Sequence, residues 1–248
     1  MSDVEQLLRY LREPEAGTLL GQDEYVRDFG SRLWLADGAD SWKVERMQFY
    51  DETGFPSWDA FAAGDWERSV ELYDDLRPAL LSFNQQHAEH HAQFRRIRVV
   101  EAAISPYVQW EMYCLRVRSE CGEDIRVVPA AQLADLEAAA GLVPELVSLC
   151  GMTLYLTGYD AAALPDGAQR FTDPGIVARY ETFVRGLYDS GEDLETYFGR
   201  EIAPLPAPHW RGDGRVGSLG RLSCWVPVPR LGGEHRAAVS SSRDSADP

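Results

Sequence analysis

The sequence is poor in lysine and lacks paired cysteines and long apolar runs, and each shortage excludes a class of protein. Lys43 is the only lysine, so arginine supplies the other 23 of the 24 basic residues. No apolar run approaches the ~20 residues of a transmembrane helix. The first residues, MSDVEQLLRYLREPE, are charged and amphipathic, without the apolar core of a secretory signal. We therefore expect a soluble cytoplasmic protein without a membrane partner.

The four cysteines form no CxxC pair. Cys114 and Cys121 lie seven residues apart in one predicted helix, which separates them by about 10 Å along its axis. That distance is too long for a disulfide. Cys150 and Cys224 form no CxxC motif with any other cysteine either. This spacing is typical of reduced thiols in the cytoplasm.

Several common enzyme signatures are also missing. The chain has no P-loop, no nucleotide-binding glycine triplet, no GxSxG and no HExxH. His87, His90 and His91 would share one helix face, but no second Cys or His group completes a zinc site. We read these histidines as an exposed polar helix end and predict no metal and no cofactor.

The formal net charge of −16 disfavours indiscriminate binding to nucleic acid or to anionic membranes. It does not exclude a local basic site. Any polyanion partner therefore requires strong segregation of charge on the surface.

The apolar pattern predicts an α/β fold. Strands are expected at 42–45, 94–100, 124–128 and 145–149, and a cap-and-proline pair at Ser105 and Pro106 begins a helix. Strand–helix–strand–helix–strand order over 94–149, with short links, predicts parallel pairing. Segments 153–159 and 168–171 predict an antiparallel hairpin. The result is a mixed sheet with a parallel βαβαβ core followed by an antiparallel hairpin, helices on both faces and an N-terminal helical extension.

Three regions follow from this pattern. We predict an amphipathic helix in 1–17, a single α/β domain in 18–208, and a disordered tail rich in Gly, Arg, Ser and Pro in 209–248.

The predicted strand 94–100 is unusually rich in arginine. Arg96 and Arg98 share one face at a spacing of two, and Arg126 lies on the next strand. A buried strand carries such charges only if they are paired. Either this face opens on a groove that binds phosphate or carboxylate, or the arginines pair with Glu101, Glu111 or Glu123. The ion-pair alternative is favoured.

Two further places carry candidate chemistry. Lys43 and Glu45 form either a surface pair of little energetic value or, in a cleft, a general base with an orienting cation. Glu111 and Glu123 are undecided between solvated charges and partners of the arginines. The sequence leaves these alternatives open.

Three strings, DSWKVERMQFYDETGFPSWDAFAAGDWERS, RRIRVVEAAISPYVQWEMYCLRVRSECGEDIRVV and RFTDPGIVARYETFVRGLYDSGEDLETYF, resemble an actinobacterial family, DUF6879, over roughly 18–208. Long members of that family look similar to the aminoacyl-tRNA-dependent transferases of valanimycin and blasticidin assembly. Other members accompany helix-turn-helix regulators. The resemblance therefore implies transfer of an amino acid from its tRNA ester to a small amine or hydroxylamine. The alternative is a non-enzymatic regulatory or interaction protein with a protein partner.

The transferase hypothesis requires a carboxylate base and a basic surface for tRNA, and the family supplies no site residues. The candidate catalytic residues are Glu45, Glu111 and Glu123. The candidate substrate- and tRNA-binding residues are Trp42, Lys43, Arg46, Arg95, Arg96, Arg98, Tyr107 and Arg126. A third hypothesis is an enzyme or binder for a small anionic metabolite, which would hold its ligand with the same arginines in a closed pocket.

Overall fold

A computed structural model of the protein describes residues 1–210, whose strands form one mixed sheet. Its order is β1-β7-β6-β5-β2-β3-β4-β8. Only β2 with β3 and β3 with β4 run parallel, and the other pairs are antiparallel. The strands are β1 (Thr18–Leu20), β2 (Ser41–Glu45), β3 (Phe94–Val100), β4 (Asp124–Pro129), β5 (Leu146–Leu149), β6 (Thr153–Tyr159), β7 (Pro165–Phe171) and β8 (Glu192–Asp193).

Helices cover both faces of the sheet, as predicted. They are α1 (Asp3–Tyr10), α2 (Gln22–Arg32), α3 (Pro56–Ala62), α4 (Trp66–Asp74), α5 (Arg77–Glu89), α6 (Pro106–Glu120), α7 (Ala134–Ala140), α8 (Pro174–Ser190) and α9 (Leu194–Tyr197). A short 3-10 turn (Ala130–Leu133) precedes α7, and a π-helical turn (Phe198–Ile202) follows α9. Helices α1, α7 and α8 contribute to one apolar core, and α3, α4, α6 and α9 contribute to a core on the opposite face.

Local sequence signals explain most helix starts. Ser105 and Asp173 accept hydrogen bonds from the third residue beyond them, Val108 and Ile176, and a proline follows each cap. Ser57, beside Pro56, does not act as a cap. Helix α3 begins at Pro56, and the Ser57 hydroxyl is buried, where it donates to the carbonyl oxygen of Ser69.

The α/β class and the hairpin of β6 with β7 are confirmed. The predicted parallel direction of 145–149 is wrong, because β5 pairs antiparallel with β2, and β2 is the third parallel strand instead. Helix α7 has seven residues and spans about 10 Å. It covers only part of the length of a strand of about 20 Å, and β5 runs opposite to β2, β3 and β4. The chain therefore enters β5 at the end of the sheet where it left β4.

The N-terminal helix belongs to the core of the domain. Leu7, Leu8 and Leu11 are fully buried, and α1 packs against α7 and α8. The three described cysteines, Cys114, Cys121 and Cys150, are free. Among the helices described, none is long and apolar enough to span a bilayer. Most of the predicted disordered tail, residues 211–248, lies outside the described residues.

Candidate functional site

A cluster of buried charged side chains lies between the sheet and α6. Its members come from β2, β3 and α6 and from the turn after α6, and each side chain is at most 8% exposed. We call it the ionic cluster. It consists of Lys43, Glu45, Arg96, Arg98, Glu111, Arg118 and Glu123.

Strand alternation brings four of these residues together. In the β2–β3 register, Lys43 lies opposite Arg96 and Glu45 opposite Arg98, and all four face α6. The intervening Val44 turns to the other core. Glu45 is the last residue of β2 and Arg98 the fifth of seven in β3, so this pair lies towards the carboxyl ends of the two parallel strands, where open α/β sheets bind their ligands. Lys43 and Arg96 lie further back in the strands.

Helix α6 and the turn that ends it supply the rest. Glu111 and Arg118 are seven residues apart, two helical turns, and so project from the same face. Gly122 follows the helix with a φ of 101°, a left-handed conformation that glycine adopts without strain. It reverses the chain, so that Glu123 points back to Arg118.

Glu123 and Arg96 each bridge two partners. Glu123 accepts from Arg96 Nε at 2.6 Å and from Arg118 Nε at 2.7 Å. Arg96 Nη1 also donates to Glu45 Oε1 at 2.6 Å, and Lys43 Nζ lies 2.7 Å from the same oxygen. The sequence hypothesis that buried arginines pair with Glu111 and Glu123 is confirmed, whereas Glu101 pairs with Arg46.

The carboxyl groups differ in acidity. Burial alone would raise the pKa of Glu45, but the charges of Arg96 and Lys43 outweigh it and hold that pKa well below its usual value. Burial likewise opposes ionisation of Glu123, yet Arg118 and Arg96 lower its pKa. Both groups are therefore carboxylates at neutral pH.

Glu111 behaves differently from its neighbours. Arg98 Nε donates to Glu111 Oε2 at 2.7 Å, and Arg98 Nη2 lies 2.6 Å from the same oxygen. Burial raises the pKa of Glu111 to about 7, and the nearby carboxylates Glu45 and Glu52 add to this effect while Arg98 opposes it. Such a group exchanges a proton near neutral pH.

A second layer of carboxyl and tyrosine side chains covers the cluster. Tyr50 donates to Glu145 Oε2 at 2.7 Å, and Tyr107 donates to Glu52 Oε1 at 3.3 Å. Burial raises the pKa of Glu145, and the Tyr50 ring centroid lies 6.0 Å from Arg98 Cζ. Sequence reasoning missed Tyr50, Glu52 and Glu145. Their position just after β2 and just before β5 was the available signal, since loops at the carboxyl ends of parallel strands line ligand sites.

Three polar atoms at the centre of the cluster have unused hydrogen-bonding capacity. Glu45 Oε2, Arg96 Nη2 and Arg118 Nη2 are buried without a hydrogen-bond partner among the described residues. Buried polar atoms are normally satisfied, so these three are the atoms of the cluster to which a bound polar molecule would form hydrogen bonds.

The structure separates the other predicted site residues from the cluster. Trp42, Arg95 and Arg126 face the opposite side of the sheet around Tyr188, where both guanidinium carbons lie 5.1 Å from the tyrosine ring centroid. Arg95 also pairs with Asp40 at 2.9 Å. The single basic patch expected from Arg95, Arg96, Arg98 and Arg126 is therefore wrong, because neighbouring strand residues alternate between faces.

Two predicted binding residues have structural contacts elsewhere. Arg46 pairs with Glu137 at 2.7 Å and with Glu101 at 2.8 Å. Tyr107 is buried in the aromatic core beside α3, although its hydroxyl reaches Glu52. Only Tyr107 lies next to the ionic cluster.

The expected polar histidine face is only partly present. His87 is buried, which contradicts the expectation, because its ring packs 4.5 Å from that of Trp34. His90 lies nearer the surface and pairs with Asp37 at 2.6 Å. In residues 1–210, no group of three or more His, Cys, Asp or Glu side chains is arranged to hold a metal.

The family comparison agrees with the three strings that suggested it. The family described as "Domain of unknown function (DUF6879)" matches residues 28–199. The chain belongs to this family. The DUF6879 match begins within α2 and ends in the π-helical turn, so it contains the whole ionic cluster but neither α1 nor β1. No curated protein matches the chain.

Proposed function

We propose that the ionic cluster is the acid–base centre of an enzyme that acts on a small amine, and that the reaction is aminoacyl transfer from an aminoacyl-tRNA. The observation that carries the proposal is Glu111, a buried carboxyl group with a pKa of about 7 that pairs with Arg98, which lies opposite the last residue of β2. A general base is most effective when its pKa is close to the working pH.

Besides this base, the reaction requires the protein only to position the amine and the ester. The amine nitrogen attacks the ester carbonyl, a C–N bond forms and the C–O bond to the tRNA ribose breaks. Glu111 takes the proton from the nitrogen and returns it to the departing ribose oxygen. Positioning of the amine supplies much of the remaining rate enhancement.

The charge of the protein suits a cationic substrate. Six of the 24 basic and four of the 40 acidic residues follow position 210, which leaves 18 basic and 36 acidic residues in the described part. This excess attracts ammonium ions and repels polyanions. Because Arg96 and Arg98 are buried, tRNA phosphates would contact other arginines, and the six beyond residue 210 are candidates. The tRNA donor rests on the resemblance to the valanimycin and blasticidin transferases.

The test is transfer of label from a pool of radiolabelled aminoacyl-tRNA to small amines. We expect an amine-dependent product whose rate of formation rises as the pH passes about 7. Glu111→Gln keeps the shape but removes the base, and the rate should fall by about 10²- to 10⁴-fold. Glu101→Gln is the matched control, because that side chain is 47% exposed and contacts Arg46 outside the cluster.

Two results would count against the proposal. Equal rates for Glu111→Gln and the unchanged protein would remove Glu111 from the reaction. Absence of transfer together with absence of salt-sensitive tRNA binding would exclude the transferase hypothesis.

A second candidate is a regulatory or interaction protein that partners a helix-turn-helix regulator. It is favoured by the internal pairing of Arg95, Arg96 and Arg98, since each already has a carboxylate partner within the chain. Such a protein would bind its regulator directly in calorimetry and would show no amine-dependent transfer.

A further inference from the structure

An aromatic groove lies beside the ionic cluster and is occupied by the chain itself. We define the aromatic groove as Phe49, Trp58, Phe61 and Tyr107. The ring of Trp210 stacks on Phe49, with centroids 5.5 Å apart and an angle of 7° between the planes. It also meets Trp58 edge-on at 5.0 Å. These are the stacked and edge-to-face arrangements that aromatic rings prefer.

The segment that carries Trp210 lies along the surface. Its sequence over 203–210 is APLPAPHW, and Gln109 Nε2 donates to the carbonyl oxygen of Pro206 at 2.8 Å. Pro208 is buried and Trp210 half-buried, whereas His209 between them is exposed. Pro208 and Trp210 therefore contact the body, while residues 203–207 remain exposed.

The residues of the aromatic groove lie inside the family match, and the tryptophan that occupies the groove lies outside it. Phe49, Trp58, Phe61 and Tyr107 all lie within the DUF6879 match at 28–199, whereas Trp210 lies beyond it. A proline-rich segment is already extended before it binds, so it loses little entropy on docking to aromatic side chains. A surface segment held by few contacts also leaves at low cost.

We propose that the aromatic groove is a binding site for proline-rich segments that carry a tryptophan. In this protein residues 203–210 occupy the aromatic groove in cis, and a proline-rich, tryptophan-containing segment of a partner protein binds there in trans. A basic flank on the partner segment would add favourable interaction, because the described part of the chain is strongly acidic.

The test is binding of a fluorescent peptide with the sequence of residues 203–212, APLPAPHWRG, followed by anisotropy. In the unchanged protein the cis segment competes at an effective concentration of order millimolar. Trp210→Ala in the full chain removes this competitor, so the peptide should bind about tenfold or more tightly than it binds the unchanged protein. Phe49→Ala added to Trp210→Ala should abolish binding. Trp34→Ala, which removes another half-buried tryptophan outside the groove, should leave peptide binding as in the unchanged protein.

The outcomes separate this proposal from its rivals. A folded Trp210→Ala protein that does not bind the peptide would overturn it and make Trp210 a fixed part of the core. Binding of a single-stranded oligonucleotide ending in CCA, in place of the peptide, would overturn it in favour of a nucleobase seat. If Trp210→Ala does not fold, Pro208→Gly in the full chain loosens the cis segment at a buried position and leaves the groove and the peptide unchanged. Failure of this variant to bind the peptide more tightly overturns the proposal.

Discussion

Each acidic residue of the ionic cluster has a cationic side chain within 2.7 Å, and every residue of the cluster is a lysine, an arginine or a glutamate. Burying such groups costs several kcal/mol per ion, which close pairing offsets. The cluster is therefore sensitive to the loss of any one member, because the remaining partners stay buried with an uncompensated charge. Surface pairs lack this sensitivity because water replaces the missing partner.

This difference predicts a contrast between two arginines. Arg96→Met should lower the free energy of unfolding by about 3–5 kcal/mol, since Glu45 and Glu123 each lose a buried partner. Arg68→Met is the matched substitution at an exposed pair with Glu71 and should cost less than about 1 kcal/mol. Urea unfolding at neutral pH measures both. Equal losses in the two variants would contradict the account of the cluster.

The cluster was only partly predictable from its residues. The period-two pattern placed Arg96 and Arg98 on one face and named Glu111 and Glu123 as partners. It could not place Lys43 and Glu45 opposite them, because the β2–β3 pairing joins residues about fifty positions apart and depends on the whole sheet. Tyr50 and Glu52 lie in a loop whose path no local pattern specifies.

Helix α5 contains a histidine, His87, that is buried against aromatic side chains. His87 lies in its last turn, 2% exposed, and packs against Trp34 and Phe83. Burial lowers the pKa of His87 below its usual 6.5, against the opposing effects of the Phe83 carbonyl and Glu123. The folded protein therefore binds this proton less readily than the unfolded chain does.

The shift fixes the direction of a pH effect. Below pH 6.5 the unfolded chain takes up a proton that the folded state resists, so stability falls as the pH decreases from 6.5 towards the lower folded pKa. His87→Phe keeps an aromatic ring in the contact and removes the titration. Its loss of stability in this range should be shallower by up to about 1.4 kcal/mol per pH unit. Parallel curves from urea unfolding at several pH values would show that His87 does not contribute.

At the level of elements, the signals that succeeded are local ones. The cap at Ser105 and the residue patterns in 94–100 and 153–159 each act within a few residues, and the structure has this helix and these strands. Strands β1 and β8 were missed because three and two residues are too few to show a period. The direction of β5 depends on the path of the connection over 130–145, which the residues of the strand do not specify.

Considered as a whole, the described part of the chain carries twice as many acidic as basic residues. Like charges at this excess repel one another across the surface and oppose the compact state. Salt screens that repulsion, because the Debye length falls from about 10 Å at 0.1 M to about 3 Å at 1 M.

We therefore expect the melting temperature to rise when NaCl is increased from about 0.1 M to about 1 M. Differential scanning calorimetry measures the change directly. A fall in melting temperature would mean that exposed ion pairs, such as that of Arg68 with Glu71, stabilise the protein more than its net charge destabilises it. The same series with Glu111→Gln should give the same trend, since Glu111 contributes no charge to the exposed surface.

The position of Lys43 has a consequence for the chemistry of the whole protein. It is the only lysine in the sequence, its side chain is 8% exposed, and its amine is held against Glu45. Reagents and enzymes that acylate lysine therefore find no accessible side-chain amine in the described structure. Acylation of Lys43 would require that strand β2 had separated from its neighbours. The extent of labelling at Lys43 would therefore measure local unfolding of this part of the sheet.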